Sequence, residues 1–133
     1  MPFEYKIFPE QHLILERLWG RVTALELKQF TKEIWADEGY DKSYSGIIDL
    51  TEVEFDMKQG EIMAFIEFLF TSPDASEGRV AIVVSRPMET ALSFLYQSKT
   101  AMKNDVAVFS TWESVQDFLH LPDTMVRQLA GRS

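Results

Sequence analysis

The chain has 133 residues, 46% hydrophobic and 26% charged, the balance of a folded globular domain rather than a disordered segment. Its net charge of −8, from 21 acidic against 13 basic residues, argues against a nucleic-acid backbone or an anionic lipid surface as partner, since both reward clustered Lys and Arg. With no cysteine, disulfides, thiolate catalysis and cysteine-ligated metal centres are excluded.

At this length a single domain over 1–133 is expected, burying roughly two-thirds of its unfolded surface. No apolar run reaches the roughly 20 residues that span a bilayer. The opening MPFEYKIFPE lacks the basic start and apolar core of a signal peptide. The expectation is a cytoplasmic protein without membrane insertion.

Phe3 to Phe8 and Leu13 to Trp19 read as two strands joined by a short turn around Pro9, a hairpin with the first strand at an edge. Thr23 and Glu26 fit a capping box, and Leu27, Phe30 and Ile34 follow at helical spacing to about Asp37. Ile47, Ile48 and Leu50 make a short buried strand, which runs into an acidic connection and then a helix from about Lys58 to Thr71. The middle of that helix, Ile62 to Phe70, is apolar nearly all round, so more than one stripe of it should be buried. Val80 to Val84 is the clearest strand, β-branched and uncharged, expected at the centre of a sheet covered on both sides. Pro87 suits the first turn of a helix whose face continues through Met88, Leu92, Leu95 and Tyr96. Val106 to Phe109 is a further strand. Ser110 and Glu113 read as a second capping box, opening a helix that Pro122 stops, and Asp123 to Ala130 can form a short last helix. The order ββαβαβα implies a mostly parallel α/β sheet with an antiparallel edge hairpin and helices packed on it.

Few residues carry chemistry. His12 and His120 lie in no local motif, and two turn or helix-end histidines account for them. Asp49, Glu52, Glu54 and Asp56 could gather a hard cation, but they match no EF-hand spacing. The plainer reading has Asp56 capping the next helix and the glutamates solvated. No glycine-rich phosphate loop occurs, and Ser85 lacks the flanking glycines of a nucleophile elbow. Arg86 beside it could hold an anion at a helix start. No catalytic residue, metal site or cofactor is therefore assigned. Phe65, Phe68, Phe94 and Tyr96 could line an apolar pocket or a subunit face, and homodimerisation is the favoured use of the surplus apolar surface.

The element order resembles the SpoIIAA-like, or STAS, family, in the branch of uncharacterised bacterial proteins grouped with SEC14-like domains. The residues that carry the resemblance are the hairpin strand HLILERLWGRVT, the strand end Asp49-Leu50-Thr51-Glu52-Val53, the strand GRVAIVV and the closing VAVFSTWESVQDFL. In the anti-sigma-factor antagonists a D-L-S-x-V-like strand end leads to D-S-S-G, where a phosphorylated serine switches partner binding. Asp49, Leu50, Thr51 and Val53 fit the first part and Gly60 fits the glycine, whereas Met57-Lys58-Gln59 supplies no serine. The resemblance thus implies a non-catalytic interaction or regulatory domain without that switch. It places partner contact on a loop of Glu54, Asp56, Met57, Lys58, Gln59 and Gly60. The SEC14-like side of the resemblance implies the alternative, a carrier or sensor of a small apolar, lipid-like molecule.

Overall fold

The computed structural model describes residues 2–101 and 104–130. Phe3–Phe8 (β1) and Leu13–Thr23 (β2) form the antiparallel hairpin. A single 3-10 turn, Pro9–Gln11, joins them and closes on His12 at φ 51°, a left-handed turn position like that of His120 at φ 57°. Both histidines thus terminate local structure.

Thr23 caps Ala24–Trp35 (α1) as the sequence indicates. Its hydroxyl accepts from the Glu26 N–H at 3.2 Å, and the Glu26 carboxylate accepts from the Thr23 N–H at 3.0 Å. There follow Ser45–Asp56 (β3), Gln59–Thr71 (α2), Val80–Val83 (β4), Pro87–Thr100 (α3), Val106–Phe109 (β5), Trp112–Leu119 (α4) and Asp123–Ala130 (α5).

The strands lie in the order β1-β2-β3-β4-β5, with β1 antiparallel and the rest parallel. Each parallel crossover steps the same way along the sheet, so right-handed connections put all three crossover helices on one face. On that face Ile14, Leu18, Leu50 and Ile82 meet Phe30 and Ile34 of α1. On the other, Leu13, Leu15, Ile47 and Val83 meet Val115 of α4 and Leu129 of α5. The expected α/β architecture with an antiparallel edge hairpin is the one observed, and every residue of β4 is buried between the two layers.

Several elements differ from their sequence reading. β3 ends neither at Leu50 nor at the Val53 that the resemblance implies but continues through Asp56, pairing with β2 to Thr23↔Asp56. The alternation in Thr51-Glu52-Val53-Glu54-Phe55-Asp56 explains it: Val53 is buried and Phe55 half-buried, while Glu52, Glu54 and Asp56 are exposed. A carboxylate run with period two is a strand edge, not a loop. Asp56 therefore caps nothing. It lies 3.5 Å from Arg21 across the β2–β3 ladder, and Lys58 occupies the N-cap of α2. The second capping box also shifts by one residue: Thr111 is the N-cap of α4 and accepts from the Ser114 N–H at 3.3 Å. α2 covers more than one stripe, as the sequence indicates, with Phe65 and Ile66 over the sheet and Phe68 against α1, although only Ile66 is fully buried and Phe70 is exposed. In α3 the buried residues are Glu89, Ser93 and Thr100, while Met88 is exposed. Gly78, before β4, is required by a close approach, because a Cβ there would stand 2.3 Å from the Tyr44 carbonyl oxygen.

Candidate functional site

Between the sheet and the helices α1 to α3 lies an apolar cavity of about 160 Å³. Its floor is formed by Ile14 and Leu18 of β2, Ile48 and Leu50 of β3, and Ile82 of β4. Leu27 and Ile34 of α1, Phe65 and Ile66 of α2, and Leu92 and Tyr96 of α3 roof it. Period-two strands supply one wall and helical stripes the other, so the lining follows from elements that the sequence pattern announces.

One floor position breaks that pattern. Glu16 sits on β2 between Ile14 and Leu18, on the same face, and lines the cavity. It pairs with Tyr5 on one side and Ile48 on the other. Half-buried beneath the helix layer, its carboxyl is pushed by desolvation up to about 7. Among the described residues no side chain donates a hydrogen bond or an ion pair to it. Tyr96, 2.5 turns into α3, is driven by burial up to about 12, and Tyr40 is likewise held above its ordinary range, with the Glu16 charge contributing to both. The Tyr40 hydroxyl is already committed, donating to the Asp74 carbonyl at 2.6 Å. The other acid lining the cavity is Asp41, which is exposed, and its carboxyl is held down by hydrogen bonds from Ser43. No Lys, Arg or His lines the cavity.

The four aromatic residues singled out in the sequence separate here. Phe65 and Tyr96 line the cavity. Phe68 fills the α1–α2 seam instead, stacked on Trp35 at 5.4 Å with the Lys28 and Lys32 ammonium groups 4.8 and 5.8 Å from its ring. Phe94 faces outward, 52% exposed. Sequence reading missed Glu16, though a charged residue at an inward position of an otherwise apolar strand was the available signal.

The expected partner loop is also divided. Glu54 and Asp56 belong to β3, only Met57 and Lys58 connect the elements, and Gln59 and Gly60 open α2. All are exposed except Met57, which is half-buried and lines the cavity. The β2–β3 ladder projects beyond β4, which pairs with β3 only from Gly46 to Asp49. Side chains around the start of α3 satisfy the unpaired edge. Ser85 donates its hydroxyl proton to the Thr51 carbonyl at 2.7 Å, and the buried Glu89 carboxylate accepts from the Phe55 N–H at 3.1 Å. Ser85 is thereby a structural donor. Glu89→Ala should destabilise the fold by about 1–3 kcal/mol in urea titration, the cost of an unsatisfied buried donor. An unchanged midpoint would show that the Phe55 N–H needs no protein partner.

On the opposite face Arg17 and Asp49, both buried, stand 3.7 Å apart. Arg17 also donates to the Leu129 carbonyl near the end of α5, and its guanidinium lies 5.8 Å from the Trp112 ring centre. Asp49 accepts from the Thr51 N–H at 3.0 Å and from its hydroxyl at 2.7 Å. This network ties sheet to helices and consumes Asp49. Among the described residues, no group of three or more His, Asp or Glu is arranged to hold a metal ion.

This arrangement has a solved counterpart. An uncharacterised DUF3478-family protein from Shewanella loihica PV-4, with a SpoIIAA-like fold, matches over 88% of this chain and 93% of its own, at TM-score 0.62 and 15% identity. The fold is SpoIIAA-like. At that identity the likeness extends to the fold and no further. No protein-family profile matches the sequence, and neither does any curated protein. In this SpoIIAA-like fold α2 starts with Lys58, Gln59 and Gly60, and Thr51 is held by its bonds to Asp49. No helix among the described residues is long and apolar enough to cross a membrane.

Proposed function

We propose that this SpoIIAA-like domain is a non-catalytic binding module whose cavity takes a small apolar molecule. The single observation carrying the reading is the cavity itself, about 160 Å³ and walled by three strands and three helices. Apolar cavities near 150 Å³ stay dry and accept benzene-sized guests. A well-formed apolar pocket is the default binding site, and Ser85 and the two histidines, which are not part of its lining, are committed to edges and turns. Titration with n-propylbenzene, followed by methyl NMR, should shift Ile14, Ile48, Ile66 and Ile82. Leu69→Trp, which fills the cavity from α2, should abolish those shifts. Shifts confined to the outward Leu25 and Met88 methyls would defeat the reading.

Partner docking on the β3–α2 junction is compatible with it, and Met57 favours a link. That residue lines the cavity while Glu54, Asp56 and Lys58 beside it are exposed. Ligand entry would then be felt at a surface available to a protein partner. Amide exchange over residues 54–60 should slow when propylbenzene is bound. Equal exchange rates with and without it would remove the link.

A further inference from the structure

The cavity's charge pattern specifies its guest more closely. We propose that the cavity selects an apolar amine, with the ammonium group seated on Glu16 and the hydrocarbon body against Ile14, Ile48, Phe65 and Ile82. The inference rests on the reading of the cavity as a binding site and adds the chemical class of its ligand.

Three observations favour a cation over a neutral or anionic guest. The lining holds two acids, Glu16 and Asp41, and no basic side chain; His12, stacked on Tyr44, bears on Asp41 and not on Glu16. At Glu16 a fatty acid or a phosphate headgroup would meet like charge. Second, the Glu16 carboxyl has no hydrogen-bond donor among the described residues, although the walls leave it in an apolar setting. A carboxylate there carries an uncompensated desolvation penalty, and a ligand ammonium supplies the missing donors and opposite charge together. Third, the lining is rich in aromatic faces: Trp35, Tyr40, Tyr44, Phe55, Phe65 and Tyr96. Aromatic walls favour cations through the ring quadrupole and tolerate the apolar body of the same molecule. The net charge of −8 would also concentrate cations around the protein.

The test compares three probes of similar size by NMR titration on the full chain at pH 8: 2-phenylethylamine, n-propylbenzene and phenylacetate. The amine should bind at least tenfold more tightly than propylbenzene, with phenylacetate weakest. Glu16→Gln should equalise amine and hydrocarbon while leaving propylbenzene affinity within about twofold, a control that the cavity is still formed. Equal affinities in the unsubstituted protein, or an amine preference that survives Glu16→Gln, would overturn the amine inference and leave the apolar cavity standing. Failure of all three probes to shift the cavity methyls would overturn both.

Discussion

Asp49→Ala is expected to lower the unfolding free energy by about 3–5 kcal/mol, the range for breaking a buried ion pair by removing one partner. Arg17 and Asp49 are both buried, and each holds more than the other. Arg17 reaches the Leu129 carbonyl of α5 and lies over Trp112 of α4, while Asp49 accepts two bonds from Thr51. Removing the carboxylate takes the Asp49 charge away from a buried guanidinium inside the β2–β3/α4–α5 layer. Set against the roughly 5–15 kcal/mol that a domain of this class has in total, the loss is a large share. The pair is not expected to be worth that amount by itself. In Arg17→Met/Asp49→Leu both desolvation costs disappear along with the attraction, so the double variant should recover most of the loss. Urea midpoints for the wild type, Arg17→Met, Asp49→Leu and the double variant close the cycle. Additive losses, with no recovery in the double variant, would mean that the two residues act separately.

That pair also indicates what was readable in the sequence. The order of strands and helices, the central Val80–Val83 strand and the Thr23–Glu26 cap were legible because each rests on a local pattern: period two, period 3.6, or a donor and acceptor three residues apart. Asp49 looked like one of four neighbouring acids. Its role depends on Arg17, which lies on the adjacent strand and is far off in sequence, so only register brings them together. Glu54 and Asp56 are misplaced for the opposite reason. Their charge suggested a loop, but their spacing was that of a solvent-facing strand, and spacing governs because successive side chains must alternate across the sheet. The cavity was half legible. Phe65 and Tyr96 were named, but an apolar stripe does not say whether a helix packs tightly or stands off the sheet, and so Phe68 and Phe94 could not be told from them.

Glu16 should make the protein less stable as pH rises from 4.5 to about 7, with no further loss above. In the unfolded chain its carboxyl titrates near 4.5, and in the fold desolvation raises it to about 7. Below 4.5 both states hold the proton and the folded form suffers no penalty. Between the two values the unfolded state has released its proton while the folded state retains it, so stability falls with increasing pH. Above 7 the folded carboxyl is ionised in its apolar setting and the whole difference, of order 2–3 kcal/mol, has been lost. The shifted groups nearest to it lie outside this window. Tyr5 and Tyr96 are held up to about 12, Tyr40 is raised as well, and Asp41 lies below its ordinary value. Tyr5 owes its shift chiefly to the 2.6 Å bond that it donates to Asp37, whose own carboxyl is lowered by it. Asp37 and Asp41 act in the opposite sense, contributing stability that is lost only as pH falls through their lowered values. They are common to wild type and Glu16→Gln, so the difference between the two stability curves isolates Glu16. That difference should be near zero at pH 4.5 and should favour Glu16→Gln by about 2–3 kcal/mol at pH 8. Parallel curves across that range would mean that Glu16 is solvated in the fold. Saturating 2-phenylethylamine should erase most of the wild-type decline, because a bound ammonium stabilises the ionised carboxyl that the empty cavity penalises.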